Sequence, residues 1–358
     1  MAYTNIDDPS AHFQTKIYSG QNSVQSVTND GNSNLKPDWL WIKSRNDSDI
    51  HVITNSTTGT DLYLQTNNDA GEVSSTGDVE SFDTNGFSLA GVNDRVNTNG
   101  GLFVAWQWKA NGGTTASNSD GNITATVQAN TDAGFSIVTY TGNGSNNQTI
   151  GHGLGVQPSW WIVKRRDTTG DWWFGASSIL GGTSNYLKLN SNAANAEINN
   201  IWGDSPTSST LFRVSDNAGL NASSGTYVAY LFSNKQGYSK FGKYIGNGAS
   251  DAAPATNGPF IYTGFSPAFV LIKKISAVDD WLLFDNKRAG YDPAVYRLFP
   301  GSTSAETSGT NNTIQFTSNG FKIRFHGGSM NTSGGEYIYM AFAESPFVTS
   351  TGIPTTAR

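Results

Sequence analysis

The 358-residue chain contains no cysteine, an absence that excludes disulfides, thiolate metal sites and cysteine nucleophiles at once. Charge is scarce as well. Asp, Glu, Lys and Arg make up 14% of the residues and leave a formal charge of −6. No basic run is present that could neutralise a row of phosphates, so no nucleic-acid partner is expected. Nowhere do about 18 apolar residues follow one another, which excludes a membrane-inserted helix. The opening MAYTNIDDPSAHF lacks the cationic start and apolar centre of a secretory signal, so synthesis in a cytoplasm is expected.

What the chain has in abundance is turn and strand chemistry. Its 40 glycines sit among many Asn, Ser and Thr, and aromatics reach 12%. That mixture disfavours long helices and favours short strands joined by turns, so the expected class is all-β. The window NSNAANAEINNIWG at 190–203 is the one place where alanines would suit a short helix.

One short pattern occurs three times: PDWLWIK at Pro37 to Lys43, PSWWIVK at Pro158 to Lys164 and PAFVLIK at Pro267 to Lys273. Each has proline, one variable residue, four bulky apolar residues and lysine. A run of that length suits a strand covered on both faces and is too short for a fully buried helix. Other landmarks accompany it in fixed order. IYSGQN, TYTGNG and KYIGNG precede it; DIHVI from Asp49, DWWFG from Asp171 and DWLLF from Asp280 follow it. NGFSLAG, TLFRVSD and NGFKIRF come next, then closing strands FVAWQW, YVAYLF and YIYMAF.

The expected organisation is therefore three tandem β-sandwich-like repeats of roughly 100 residues, each around its own interior strand. The first occupies 1–112 with an N-terminal arm, the second 134–235 and the third 236–348. A polar linker at 113–133 carries one candidate strand at Ile123 to Val127, and 349–358 form a C-terminal tail. The shorter junction predicts that units two and three pack more closely than units one and two.

Chemistry-bearing residues each meet a plainer reading. Trp39, Trp41, Trp160, Trp161, Trp172, Trp173 and Trp281 would make a sugar-stacking platform, but aligned positions exchange with Leu40, Phe269 and Val270, which is how core volume behaves. Trp39, Trp41, Trp160, Ile162, Phe269 and Leu271 are accordingly expected as core of the repeated strands. Lys43, Lys164 and Lys273 are expected to cover apolar surface with their stems while the ammonium emerges at the sheet edge. Asp167 with Asp171, or Asp279, Asp280 and Asp285, would be needed as a hydrolytic pair; Asp171 and Asp280 align with Asp49 and read as hairpin residues. No catalytic residue is assigned.

His12, His51, His152 and His326 are dispersed, and DGNSN at 30–34 lacks the later ligands of a calcium loop, so no metal is expected. GHGLG at 151–155 has the wrong spacing for a dinucleotide site, and no cofactor is expected. Tyr291 and Tyr296 in RAGYDPAVYR form the candidate ligand surface.

YTGNG with TIGHGLGVQPSWWIVKRRD, the opening MAYTNIDDPSAHFQTKIYSG, YVAYLF with FVAWQW, and the ending YIYMAFAESPFVTSTGIPTTAR together resemble repeat modules of marine bacteriophage virion proteins of the tail or structural kind. The resemblance implies a non-enzymatic virion component assembled in the host bacterial cytoplasm. Its partners would be other virion proteins and further copies of itself, a trimer being favoured for a fibre. It implies no catalytic residues. A glycan-binding receptor-recognition module and a capsid decoration protein are the alternatives. GHGLG is replaced by GNSNL before Pro37 and by YTGFS before Pro267, so nothing about His152 carries to the other units.

Overall fold

A computed structural model describes residues 2–91, 94–249, 257–289, 294–309, 313–324 and 328–355. The protein is all-β, 44% strand against 6% helix. Its helical turns are single turns of three or four residues. The window at 190–203 holds no helix, only the two-residue strand Ala196–Glu197. Its asparagines favour turns, and Trp202 is drawn into a core instead.

Three large antiparallel sheets share one local strand order: first strand, closing strand, proline-to-lysine strand, hairpin strand. In the first unit these are Phe13–Ser19, Leu102–Trp108, Trp39–Ser44 and His51–Asn55. In the second they are Phe135–Thr141, Thr226–Phe232, Trp160–Arg165 and Trp172–Gly175. In the third they are Ser239–Ile245, Glu336–Pro346, Phe265–Lys274 and Trp281–Asp285. A smaller sheet accompanies each, built on Gln25–Thr28, Gln148–Gly151 and Phe260–Tyr262 respectively.

Both faces of the proline-to-lysine strands are covered, but by different things. Alternation sends Leu40 and Ile42, Trp161 and Val163, Val270 and Ile272 into three separate cores, one under each small sheet. It sends Trp39 and Trp41, Trp160 and Ile162, Phe269 and Leu271 into a single core common to all three units. Rings meet there across unit boundaries: Trp39 stacks on Tyr230 at 4.7 Å, Trp108 meets Phe269 edge-on at 5.6 Å, and Trp160 meets Trp281 at 6.3 Å. The expectation that each unit closes only around its own strand therefore gives way to one shared core.

The segment 113–133 supplies two strands where one was expected, Ala116–Asn118 and Ala125–Asn130, which extend the second large sheet beyond Phe135–Thr141. It is not a spacer, because Gln128 binds Ser56 and Thr57 of the first unit through its amide at 3.0 and 2.9 Å. The first and second units are thus joined by direct contact as well as through the chain.

Candidate functional site: three latches and an exposed groove

The polar groups that recur along the chain converge at the seams between units. Two residues beyond each lysine, a backbone carbonyl accepts an N–H from the neighbouring unit. Arg45 accepts from Glu306 at 2.7 Å, Arg166 from Glu72 at 2.7 Å and Ile275 from Asn195 at 3.0 Å. The seams run in one rotational sense, first unit to third, third to second and second to first, so the ring closes. Ion pairs reinforce the first two of them: Arg45 binds Glu306 at 2.9 Å and Arg166 binds Glu72 at 2.7 Å.

The lysines are buried at these seams, not emergent at an edge. Lys164 donates to the carbonyls of Gly170 at 2.6 Å and of Asp69, across the seam, at 3.1 Å. Lys273 donates to Lys274, Asp279 and, across the seam, Asn192 at 2.7, 2.8 and 3.2 Å. Lys43 holds the carbonyls of Ser44 and Asp47 at 2.7 and 3.1 Å. An ammonium has three protons to place, and clustered loop carbonyls accept them, which is why the charge is tolerated inside. Burial lowers each lysine to about 8, against nearby carboxylates that favour the charge.

The register corrects one alignment. His51, Trp172 and Trp281 lie opposite the three lysines, so Asp171 and Asp280 correspond to Ile50 and not to Asp49. Trp172 and Trp281 donate across the seams to the carbonyls of Gln65 and Lys188 at 2.6 and 3.0 Å. His51 takes the equivalent place with its Nδ1 accepting from Trp41 at 2.9 Å. Burial, aided by Lys43, pushes its pKa well below the ordinary imidazole value.

Three of the carboxylates weighed as hydrolytic pairs are held in ion pairs, and Asp279 accepts the Asp280 N–H at 3.0 Å. Asp167 holds Arg165 at 2.9 Å and Asp171 holds Lys188 at 2.6 Å. Asp285 accepts from Arg288 at 2.6 Å with both side chains fully buried, and from the Trp106 indole at 3.0 Å. Arg288 also reaches Glu306 at 2.8 Å, so Arg45, Glu306, Arg288 and Asp285 form one chain of alternating charge between the first and third units.

Among the described residues no three His, Asp or Glu side chains gather as metal ligands. His326 lies outside the described residues. Asp30 of the DGNSN segment pairs with Lys16 at 2.9 Å. His152 holds its own turn through Leu154 N–H at 3.2 Å, and burial lowers its pKa to about 4.

No tryptophan platform exists, since all seven tryptophans weighed for it are buried. Tyr296 is half-buried, and Tyr291 lies outside the described residues.

Exposed aromatic surface lies elsewhere, on the edge strand Phe260–Tyr262, where Phe260 and Tyr262 are 48% and 55% exposed. Beside Tyr262 runs a groove of about 430 Å³, lined in part by Tyr3, Asn234, Lys235, Gln236 and Lys240. The N-terminal arm forms its wall: Tyr3 donates to the Gly264 carbonyl at 2.7 Å and Thr4 to the Gln236 carbonyl at 2.7 Å. Gly237 makes this approach feasible, because at φ +77 a side-chain carbon would stand 2.8 Å from Thr4.

Sequence reasoning also missed three buried asparagines, Asn97, Asn221 and Asn331. Each side-chain oxygen accepts the N–H of the residue after the turn glycine, Gln21, Asn143 or Asn247, at 2.9 Å. The signal was present as VNTNGG, LNASSG and MNTSGG, an apolar residue and asparagine shortly before glycine.

Among the described residues, recurring polar groups meet at the three seams of a closed β architecture, and exposed aromatic surface lies on Phe260–Tyr262. Over residues 8–346 the chain matches a family described as a domain of unknown function, DUF7483, and belongs to that family. No curated protein and no solved structure matches it.

Proposed function

We propose that the protein is a structural component of a bacteriophage particle, placed in the tail or a tail-associated fibre, and that it acts by contact and not by catalysis. The observation that carries this reading is closure. Lys164, Lys273, the three seam carbonyls, Trp172 and Trp281 all bind one unit to the next. The outer faces of this closed arrangement are open to other molecules, which suits an assembly role. The resemblance of PSWWIVK and its neighbouring motifs to virion modules supports the same reading.

Assembly with other particle proteins, self-association as a trimer and contact with a host-surface glycan belong to this proposal. Cryo-microscopy of particles carrying a tagged chain is the test: density at the tail supports it, density over the head favours a decoration protein, and absence from purified particles overturns it. Light scattering that gives a strict monomer at micromolar concentration removes the trimer.

A further inference from the structure

The three small sheets allow a comparison within one chain. Val27, Ile150 and Ile261 are buried and lie opposite Phe87, Phe212 and Phe321, so they occupy one equivalent position. The residues after them are Thr28, Gly151 and Tyr262. In the first unit Thr28 is exposed, and the fold is satisfied with a small polar residue there. In the second, Gly151 is covered, with Asn118 of the added strand close against it. Only the third unit places an aromatic ring at this position and leaves it open.

Packing leaves that residue more exposed than covered. Phe260 has a local partner, since it lies over Gly320 and so compensates for a missing side chain. The tip of Tyr262 lies beside Gly264 and meets the Tyr3 hydroxyl at 3.3 Å, while the residue stays 55% exposed. An exposed ring beside a walled hollow is a feature of ligand sites more than of sheet surfaces.

The rest of the groove indicates what would lie on the ring. Its volume of about 430 Å³ falls within the roughly 300–1,000 Å³ of small-molecule sites. Asn234, Ser239 and Thr263 direct their side chains to Ser159, Ser233 and Phe265 of the fold. Gln236 is exposed, with its side-chain amide engaged by Tyr3 and its carbonyl oxygen able to accept a further hydrogen bond. Lys240 has no hydrogen-bond or ion-pair partner among the described residues, and no carboxylate lines the groove, although the chain as a whole carries −6. A ring face, an amide oxygen and an ammonium without a carboxylate partner in one groove match a sugar ring bearing hydroxyls and a carboxylate.

We propose that the Tyr3–Tyr262 groove binds a carboxylate-bearing saccharide, with the sugar ring on Tyr262 and the carboxylate on Lys240. This rests on the host-contact part of the proposed function and names its ligand class. The pinned N-terminal arm presents the wall already formed, so little ordering is needed on binding.

The experiment is calorimetric titration of the full chain with trigalacturonate and with sialyllactose, using maltotriose as the neutral comparison. Saturable binding of at least one acidic probe is expected, with maltotriose about tenfold weaker or worse. Tyr262→Thr, which installs the first unit's residue, and Lys240→Gln should each weaken binding by about tenfold or more at an unchanged melting temperature. Failure of both acidic probes to bind, equal binding of maltotriose, or binding indifferent to both substitutions overturns the proposal. If Tyr262→Thr instead prevents incorporation into particles while no probe binds, the groove is a protein contact and the saccharide inference is wrong. Particle localisation is read separately: a chain found in the tail with no acidic-sugar binding defeats only the groove, whereas a chain missing from particles defeats the virion reading whatever the groove binds.

Discussion

Arg45 and Glu306, 261 positions apart in the chain, are bound twice: the Arg45 carbonyl accepts the Glu306 N–H at 2.7 Å, and its guanidinium holds the Glu306 carboxylate at 2.9 and 3.1 Å. The same carboxylate also serves the fully buried Arg288 guanidinium at 2.8 Å. Removing it leaves one buried and one nearly buried cation facing each other. Glu306→Ala should therefore cost about 3–5 kcal/mol. Glu72→Ala at the neighbouring seam strands only Arg166, which is 20% exposed, and should cost roughly half as much. Urea unfolding of both variants measures the difference, and equal losses would show that the Asp285–Arg288–Glu306 chain adds nothing.

A core shared by three units links their stabilities. Trp39 touches Trp41, Trp108, Phe135, Tyr230 and Phe232, the last three contributed by the second unit. Differential scanning calorimetry should show one cooperative transition for the whole chain, with calorimetric and van't Hoff enthalpies in agreement. Trp39→Ala should lower that single transition by about 3–5 kcal/mol without splitting it. Three resolved transitions, or one third of the heat lost in the variant, would mean that the units fold separately.

The strands were legible in the sequence and their surroundings were not, for a physical reason. A run such as PSWWIVK has no polar face, so its composition says that both sides are covered and is silent about what covers them. Trp160 and Trp161 read alike, yet the first enters the common core and the second the core under its own small sheet. Lys164 reads as a strand-end lysine with an exposed head because the residue that buries it, Asp69, lies 95 positions earlier in another unit. Tyr262 could be singled out only from the register, which places it opposite Gly320 as Thr28 stands opposite Gly86. Turn asparagines such as Asn221 were hidden for the opposite reason, being ordinary residues in a chain full of them.

Asn97, Asn221 and Asn331 are fully buried, and each binds a turn through both ends of its amide. Asn221 accepts from Asn143 N–H at 2.9 Å and donates to the Ser145 carbonyl at 2.8 Å. Alanine at any one of them leaves the turn N–H without its acceptor and should cost about 1–3 kcal/mol. Aspartate keeps the acceptor, loses the donor and buries a charge, so Asn221→Asp should be at least as damaging near neutral pH and recover toward acid pH as it protonates. Thermal melts of Asn221→Ala and Asn221→Asp at two pH values separate these effects.

The buried bases make stability depend on pH from both sides. Lys43, Lys164 and Lys273 fall from 10.5 to about 8 in the folded chain, so between those values the unfolded chain binds more protons. Stability from these groups therefore rises with pH through that window, and the cost of burying their charge is fully present below it. His152 falls from 6.5 to about 4, so its contribution is complete above 6.5 and is lost as pH drops toward 4. Melting temperature measured against pH should climb between about 8 and 10 in the native chain and climb less in Lys164→Met, which removes one titrating group but keeps the stem. His152→Asn should flatten the acid limb. An alkaline limb unchanged in Lys164→Met would mean that the ammonium keeps its proton in the folded chain up to the ordinary lysine range, held by the Gly170 and Asp69 carbonyls more strongly than burial opposes it.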